Sequence, residues 1–74
     1  MKKVKININS IYDIVIFVQY ASKTKGDINV YCDNKKANGA SLMSMMTLDF
    51  NKNLIVEYPE TAFAFESFIS NFIV

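Results

Sequence analysis

The apolar positions of this chain change period several times, and each change marks the edge of a structural element. Val4, Ile6 and Ile8 alternate with Lys3, Lys5 and Asn7, the period of two that gives a strand one dry and one wet face. At Ser10 the period lengthens. Ser10-Ile11-Tyr12-Asp13 has the form of a capping box, with the serine oxygen accepting an amide hydrogen bond and an acid in the first turn. A helix is expected from there to about Ser22, with Ile14, Phe17, Val18 and Ala21 turned to the core at i, i+3, i+4, i+7 spacing. Lys23 and Lys25 suit the negative end of that helix, and Gly26 stops it.

Alternation returns at Ile28, Val30 and Cys32, interleaved with Asn29, Tyr31 and Asp33. Asp33-Asn34-Lys35-Lys36 then turns the chain into a third strand near Lys35 to Asn38, making a hairpin. Gly39 breaks the chain again. Ser41 is placed to cap a short helix through Leu42, Met43, Ser44, Met45 and Met46. After the turn Asn51-Lys52-Asn53, Leu54, Val56 and Tyr58 face one way and Ile55 and Glu57 the other, until Pro59 ends the strand. A last helix is expected from about Thr61, with Glu60 and Glu66 in its early turns and Ala62, Phe65, Phe68, Ile69 and Phe72 as its apolar stripe.

The order βαββαβα buries one face of every element as a four-stranded antiparallel sheet with its helices layered on one side, a two-layer α+β sandwich. Val4, Ile6, Ile8, Ile28, Val30, Val56 and Tyr58 would then meet Phe17, Val18, Ala21, Phe65, Phe68 and Phe72 across the core.

Composition narrows what such a domain can do. Residues 1–74 make a single domain, and 51% of them are apolar or aromatic. A chain this short hides only roughly 60% of its unfolded surface, so surplus apolar residues point to an interface. The net charge of +1 argues against nucleic-acid binding driven by counterion release. There is no histidine, no arginine and one cysteine, Cys32, which excludes disulfide scaffolds, zinc fingers and Cys/His catalysis. No cofactor or metal is implied, and Cys32 reads as a small buried hydrophobe. Asp27 and Asp33 read as solvated acids, and a reducing, intracellular setting fits the cysteine count. Met1-Lys2-Lys3-Val4-Lys5 imitates the basic end of a signal peptide, but Asn7, Asn9, Ser10 and Asp13 interrupt the apolar region it would need. The longest apolar run, Ile14 to Val18, is far short of the roughly 20 residues that span a bilayer. A soluble protein is expected.

Several stretches resemble a known family. Val18-Gln19-Tyr20-Ala21-Ser22-Lys23, Asp27 to Tyr31, Asn34-Lys35-Lys36-Ala37-Asn38, and Ala40-Ser41-Leu42-Met43-Ser44-Met45-Met46-Thr47-Leu48 are together similar to HPr, the small phosphocarrier of the bacterial sugar phosphotransferase system. The resemblance runs without gaps from about Ile8 to Tyr58 and implies an HPr-like open-faced sandwich, cytoplasmic and bacterial. It also implies a phosphate-accepting histidine at the start of the first helix, in the segment G-I-H-A-R-P-A. In that register this chain has Ser10 for the histidine, Tyr12 for the arginine and Asp13 for the proline.

A relay needs a nucleophile that returns its phosphate, as a nitrogen-linked phosphoryl group does and a far more stable serine ester does not. No arginine supplies a bidentate clamp either. The resemblance therefore implies a degenerate phosphohistidine site at Ser10 and Tyr12, no catalytic residue, and no enzyme. Ser41 matches the position that a dedicated kinase phosphorylates in HPr and Crh of low-GC Gram-positive bacteria; Crh also lacks the histidine. A helix cap accounts for the same serine. Ile11, Tyr12, Ile16 and Tyr20, off the core stripe of the first helix, would join Leu42, Met43 and Met46 as an apolar docking surface. In HPr that surface meets kinases and regulators, so the partners implied are an HPr kinase or a transcriptional regulator, with no nucleic acid and no membrane, for a monomer or homodimer. Two alternatives stand beside a regulatory binding module: a phosphocarrier component that uses another residue, and a degenerate structural paralogue.

Overall fold

The structure, a computed structural model, describes all 74 residues. Its elements are β1 (Lys2–Ile6), α1 (Ile11–Lys23), β2 (Asn29–Cys32), β3 (Lys35–Asn38), α2 (Leu42–Met45), β4 (Leu54–Tyr58) and α3 (Phe63–Ile69), followed by a 3-10 turn over Ser70–Phe72. The strands form one sheet in the order β1-β4-β2-β3, every neighbour antiparallel. The last strand in sequence thus lies second in the sheet, between β1 and β2. All three helices cover the sheet face carrying Val4, Ile6, Val30, Val56 and Tyr58, as the apolar alternation requires.

The core is entirely apolar apart from backbone. Seventeen hydrophobic residues are buried and no polar or charged side chain is. Phe17 of α1 meets Phe65 of α3 edge-on at 5.1 Å, and Phe65 meets Tyr58 of β4 at 5.7 Å, so one aromatic chain joins both layers. Such pairs add about 0.5–1.5 kcal/mol beyond the area they bury. Val4, Val18, Phe68 and Phe72 are only partly buried and pack on the rim. The buried core also contains Ile14, Leu54 and Ile69, each on an expected apolar face, and Met45 and Leu48, which were not expected there. Phe68 stacks on Tyr20 and meets Phe72 edge-on at 5.3 Å, so these rings pack together at the edge of the helical layer.

Two element boundaries differ from the sequence reading. β1 ends at Ile6 because its register with β4 closes there, Ile6 facing Leu54, the first residue of β4. Ile8 remains fully buried as loop. The chain beyond β1 is held by the C-terminal residues: the Asn7 amide donates to the Phe72 carbonyl at 2.9 Å and the Val74 amide to the Lys5 carbonyl at 3.1 Å. α3 begins at Phe63, two residues later than expected, because the Ala62 amide is turned back to the Pro59 carbonyl and the Phe63 amide to the Thr61 carbonyl. Glu60 therefore precedes the helix, and only Glu66 lies in its first turn.

Two glycines are required by geometry. Gly26 has φ +98° after α1, and a Cβ there would lie 2.8 Å from Pro59 Cγ. A Cβ on Gly39 would come within 2.6 Å of Ile28 Cγ2. The hairpin between β2 and β3 turns on Asp33 and Asn34 alone, with Asp33 at φ +54°, and Lys35 and Lys36 already belong to β3.

Candidate functional site

α1 starts where the period change places it, with Ser10 in extended geometry (φ −88°, ψ 129°) and its carbonyl accepting from the Ile14 amide at 3.0 Å. The capping box does not form. The Ser10 side chain makes no capping hydrogen bond, so its hydroxyl is left free at the helix start. This corrects the expectation that capping accounts for that serine. Asp13 adds a negative charge to the same turn, and the chain has no histidine to take the serine proton. The start of α1 thus presents an unactivated alcohol with a carboxylate in its first turn.

Ser41 behaves in the opposite way. It is extended (φ −119°, ψ 116°), and its Oγ accepts from the Ser44 amide at 3.3 Å, a true N-cap. Ser44 in turn accepts, through its Oγ, from the Asn38 amide at 2.9 Å. α2 is therefore tied to the end of β3. Lys35 of β3 reaches the Thr47 carbonyl just beyond α2 at 3.4 Å. Within α2, Met45 is fully buried, while Leu42 and Met43 are exposed; Met46, at its C-cap, is exposed as well.

All seven side chains expected at an apolar docking surface are exposed, from 38% for Ile16 to 85% for Met43. α1 and α2, which carry or flank them, are in contact. The seven do not share one face of α1, however. At ~100° per residue Ile11 and Tyr20 point to opposite sides of the helix. Tyr20 stacks on Phe68 of α3 at 4.9 Å with ring planes 10° apart, so it belongs to the α1–α3 seam. Tyr12 and Ile16 form the outward stripe.

The remaining charged groups hold the scaffold together. Tyr58, buried in β4, donates its hydroxyl to Glu66 Oε2 at 2.7 Å, and Lys2 of β1 reaches the same oxygen at 3.0 Å. Burial, reinforced by the neighbouring carboxylate, pushes the Tyr58 phenol up to about 12. Glu66 is held below the usual carboxylate range, first by the Tyr58 hydrogen bond and then by Lys2. Glu57 is lowered chiefly by the hydrogen bond from Asn29, with smaller help from Lys3 and Tyr31. Lys52 is raised by its hydrogen bond and ion pair with Asp33 at 2.7 Å. Neither the Tyr58–Glu66–Lys2 group nor this use of Asp33 was visible in the sequence, because each joins residues distant along the chain. Cys32 is buried, its Sγ 3.8 Å from the Asp49 carbonyl. No three Cys, Asp or Glu side chains converge as a metal site would need.

A four-stranded antiparallel sheet covered on one face by three helices, with β4 inserted between β1 and β2, defines the class of small open-faced α+β sandwiches. Within that class, residues 14–58 match the family model PTS-HPr, described as the PTS HPr component phosphorylation site. The chain belongs to the HPr phosphocarrier family of the sugar phosphotransferase system. The match begins at Ile14, just beyond the Ser10 to Asp13 segment.

Solved structures agree with this fold. HPr-C-His from Thermoanaerobacter tengcongensis is 26% identical with a TM-score of 0.77, over 96% of this chain and 89% of that one. The histidine-containing phosphocarrier protein of a Mycoplasma is 17% identical with a TM-score of 0.75, over 95% and 89%. The phosphocarrier protein HPr from Bacillus anthracis is 23% identical with a TM-score of 0.70, over 96% and 93%. No curated protein matches the chain. No helix is long and apolar enough to cross a membrane.

Proposed function

We propose that this HPr-family protein is a regulatory binding module that does not carry phosphate on histidine. The observation that carries the reading is the start of α1, where a free serine hydroxyl stands in a chain with no histidine and no arginine. In the register of the family resemblance that serine replaces the phosphate acceptor, and Tyr12 and Asp13 replace the arginine and proline beside it. A phosphoserine ester formed there would be too stable to pass its phosphoryl group on, and Asp13 would repel it. The protein is not an enzyme in this reading, and it works in the cytoplasm among the proteins of the phosphotransferase system.

What remains useful is shape and a second serine. Tyr12 and Ile16 of α1, flanked by Ile11, together with Leu42, Met43 and Met46 form the docking surface, without Tyr20, and methionine adapts to varied partners. Ser41 is the regulatory phosphorylation site: it is partly exposed and sits at the head of a helix. A phosphate there adds roughly −1.5 to −2 charges next to a strongly apolar surface, which changes who can bind it. The partner this surface suits is a protein such as an HPr kinase or a transcriptional regulator.

Incubation with phosphoenolpyruvate and the first enzyme of the phosphotransferase system tests the main point. No acid-labile phosphate is expected on this chain, and its appearance would overturn the reading. With HPr kinase and ATP, mass spectrometry should find one phosphoryl group, located on Ser41 and missing from the Ser41→Ala variant.

A further inference from the structure

A cavity of about 380 Å³ opens between the C-terminal end of α1 and the start of α3. Lys23, Thr24 and Lys25 line one side, and Thr61, Ala62 and Phe63 line the other. Its volume falls among small-molecule sites, which run from about 300 to 1,000 Å³. α1 is about 20 Å long, so this cavity lies at the far end of the helix from Ser10. It owes nothing to the family's phosphorylation segment.

The lining sets the chemistry of a ligand. Neither Lys23 nor Lys25 has an acidic partner, because the four ion pairs of the protein use the Met1 amine, Lys2, Lys3 and Lys52. No carboxylate lines the cavity. Two cations without an acidic side-chain partner on one wall favour an anion, and ammonium groups bind phosphate and carboxylate as mobile point charges. On the other wall Phe63 is 71% exposed, an aromatic face with nothing packed over most of it. Such a ring is a platform for a flat or aliphatic group. Thr24 donates its hydroxyl to the Tyr20 carbonyl at 2.9 Å, whereas the Thr61 hydroxyl has no partner in the protein and can donate to a ligand. Lys23 also borders a neighbouring cavity of about 290 Å³ beside Gln19 and Tyr20, which leaves room for a longer carbon part.

We propose that this cavity binds a small organic anion, a phosphate or carboxylate bearing a flat or aliphatic group. Lys23 and Lys25 neutralise its charge, Thr61 hydrogen-bonds it and Phe63 covers its carbon part. The site is independent of the role proposed for Ser10 and Ser41.

The test is a titration of the full chain, followed by amide chemical shifts, with phenyl phosphate, inorganic phosphate and benzyl alcohol as probes. Phenyl phosphate should saturate and move the resonances of residues 23–25 and 61–65. Inorganic phosphate should bind the same site at least threefold more weakly, and benzyl alcohol should leave those resonances in place. The double variant K23Q/K25Q should weaken phenyl phosphate at least tenfold. K35Q/K36Q, which removes the same charge from the hairpin, should change it less than twofold. F63S should bring phenyl phosphate down to the affinity of inorganic phosphate. Equal losses in the two lysine double variants, or shifts centred on the start of α1, or no saturable shift, would each overturn the proposal.

Discussion

Ser10 and Ser41 look alike in the sequence, each a serine just before an apolar run, yet only one is a cap. Ser41 Oγ accepts the Ser44 amide, while Ser10 contributes only its carbonyl to α1. Ser41→Ala should therefore cost about 1 kcal/mol in urea unfolding, the usual value of a lost N-cap. Ser10→Ala should stay within about 0.5 kcal/mol of the parent, as surface changes without a specific role do. A Ser10→Ala loss as large as that of Ser41→Ala would mean that its hydroxyl caps α1 in solution. The box Ser-x-x-Asp was legible; what decides whether it closes is the rotamer of one side chain, which no spacing specifies. Gly26 is the complementary case. The expectation that it stops α1 is corrected, since the helix ends at Lys23 with an extended Thr24 cap; Gly26 lies in the turn beyond, and its contact with Pro59, 33 positions away, was not visible in the sequence. Gly26→Ala should destabilise by more than about 1 kcal/mol, because it meets both a positive φ and a short contact. Equilibrium denaturation measures it.

At the scale of elements, a single polar group fastens three of them: Lys2 of β1, Tyr58 of β4 and Glu66 of α3. Glu66 and Tyr58 contribute to opposite limbs of the stability profile, the acid one together with Glu57 and the alkaline one together with Lys52. Glu66 ionises more readily folded than unfolded, so its contribution is complete above the ordinary carboxylate range near 4.5 and is lost as pH falls through its lower folded value. Tyr58 is the reverse. Its phenol is neutral when protonated and its folded value is raised from 10.0 to about 12, so its contribution is full below pH 10 and disappears between 10 and 12. Thermal unfolding followed across pH should show a plateau with a fall at each end. Glu66→Gln should shrink the acid limb, and Tyr58→Phe should flatten the alkaline one. An alkaline limb unchanged in Tyr58→Phe would show that the phenol is not buried as described. The elements themselves follow the periods of the sequence closely. Their ends do not: β1 stops when β4 runs out of partners, and α3 starts late because Pro59 and Thr61 carbonyls take the first amides.

For the whole molecule, smallness is the governing fact. A domain of 74 residues has a stability of roughly 4–11 kcal/mol. Phe65 touches both Phe17 and Tyr58, and its ring is fully buried between the layers. Phe65→Ala should cost about 3–5 kcal/mol, a large part of the total. The melting temperature should drop by on the order of 20 °C, read by circular dichroism. A drop of only a few degrees would mean that the α1–α3 contact is not the centre of the core. With so little margin, the exposed apolar residues of α1 and α2 are consistent with the docking surface proposed for them.

The alternation of apolar and polar residues was enough to settle the element order and the sandwich, because a strand or helix in so short a chain has one face to bury and one layer to bury it against. Composition was enough to show that no histidine or arginine serves this domain. Which serine acts as a cap and which aromatics reach the centre were decided only by the tertiary structure. Each of those depends on residues that come together from distant parts of the chain, as Gly26 and Pro59 do, or Lys23 and Phe63. Local periodicity carries the direction of a side chain, but not the identity of what it meets.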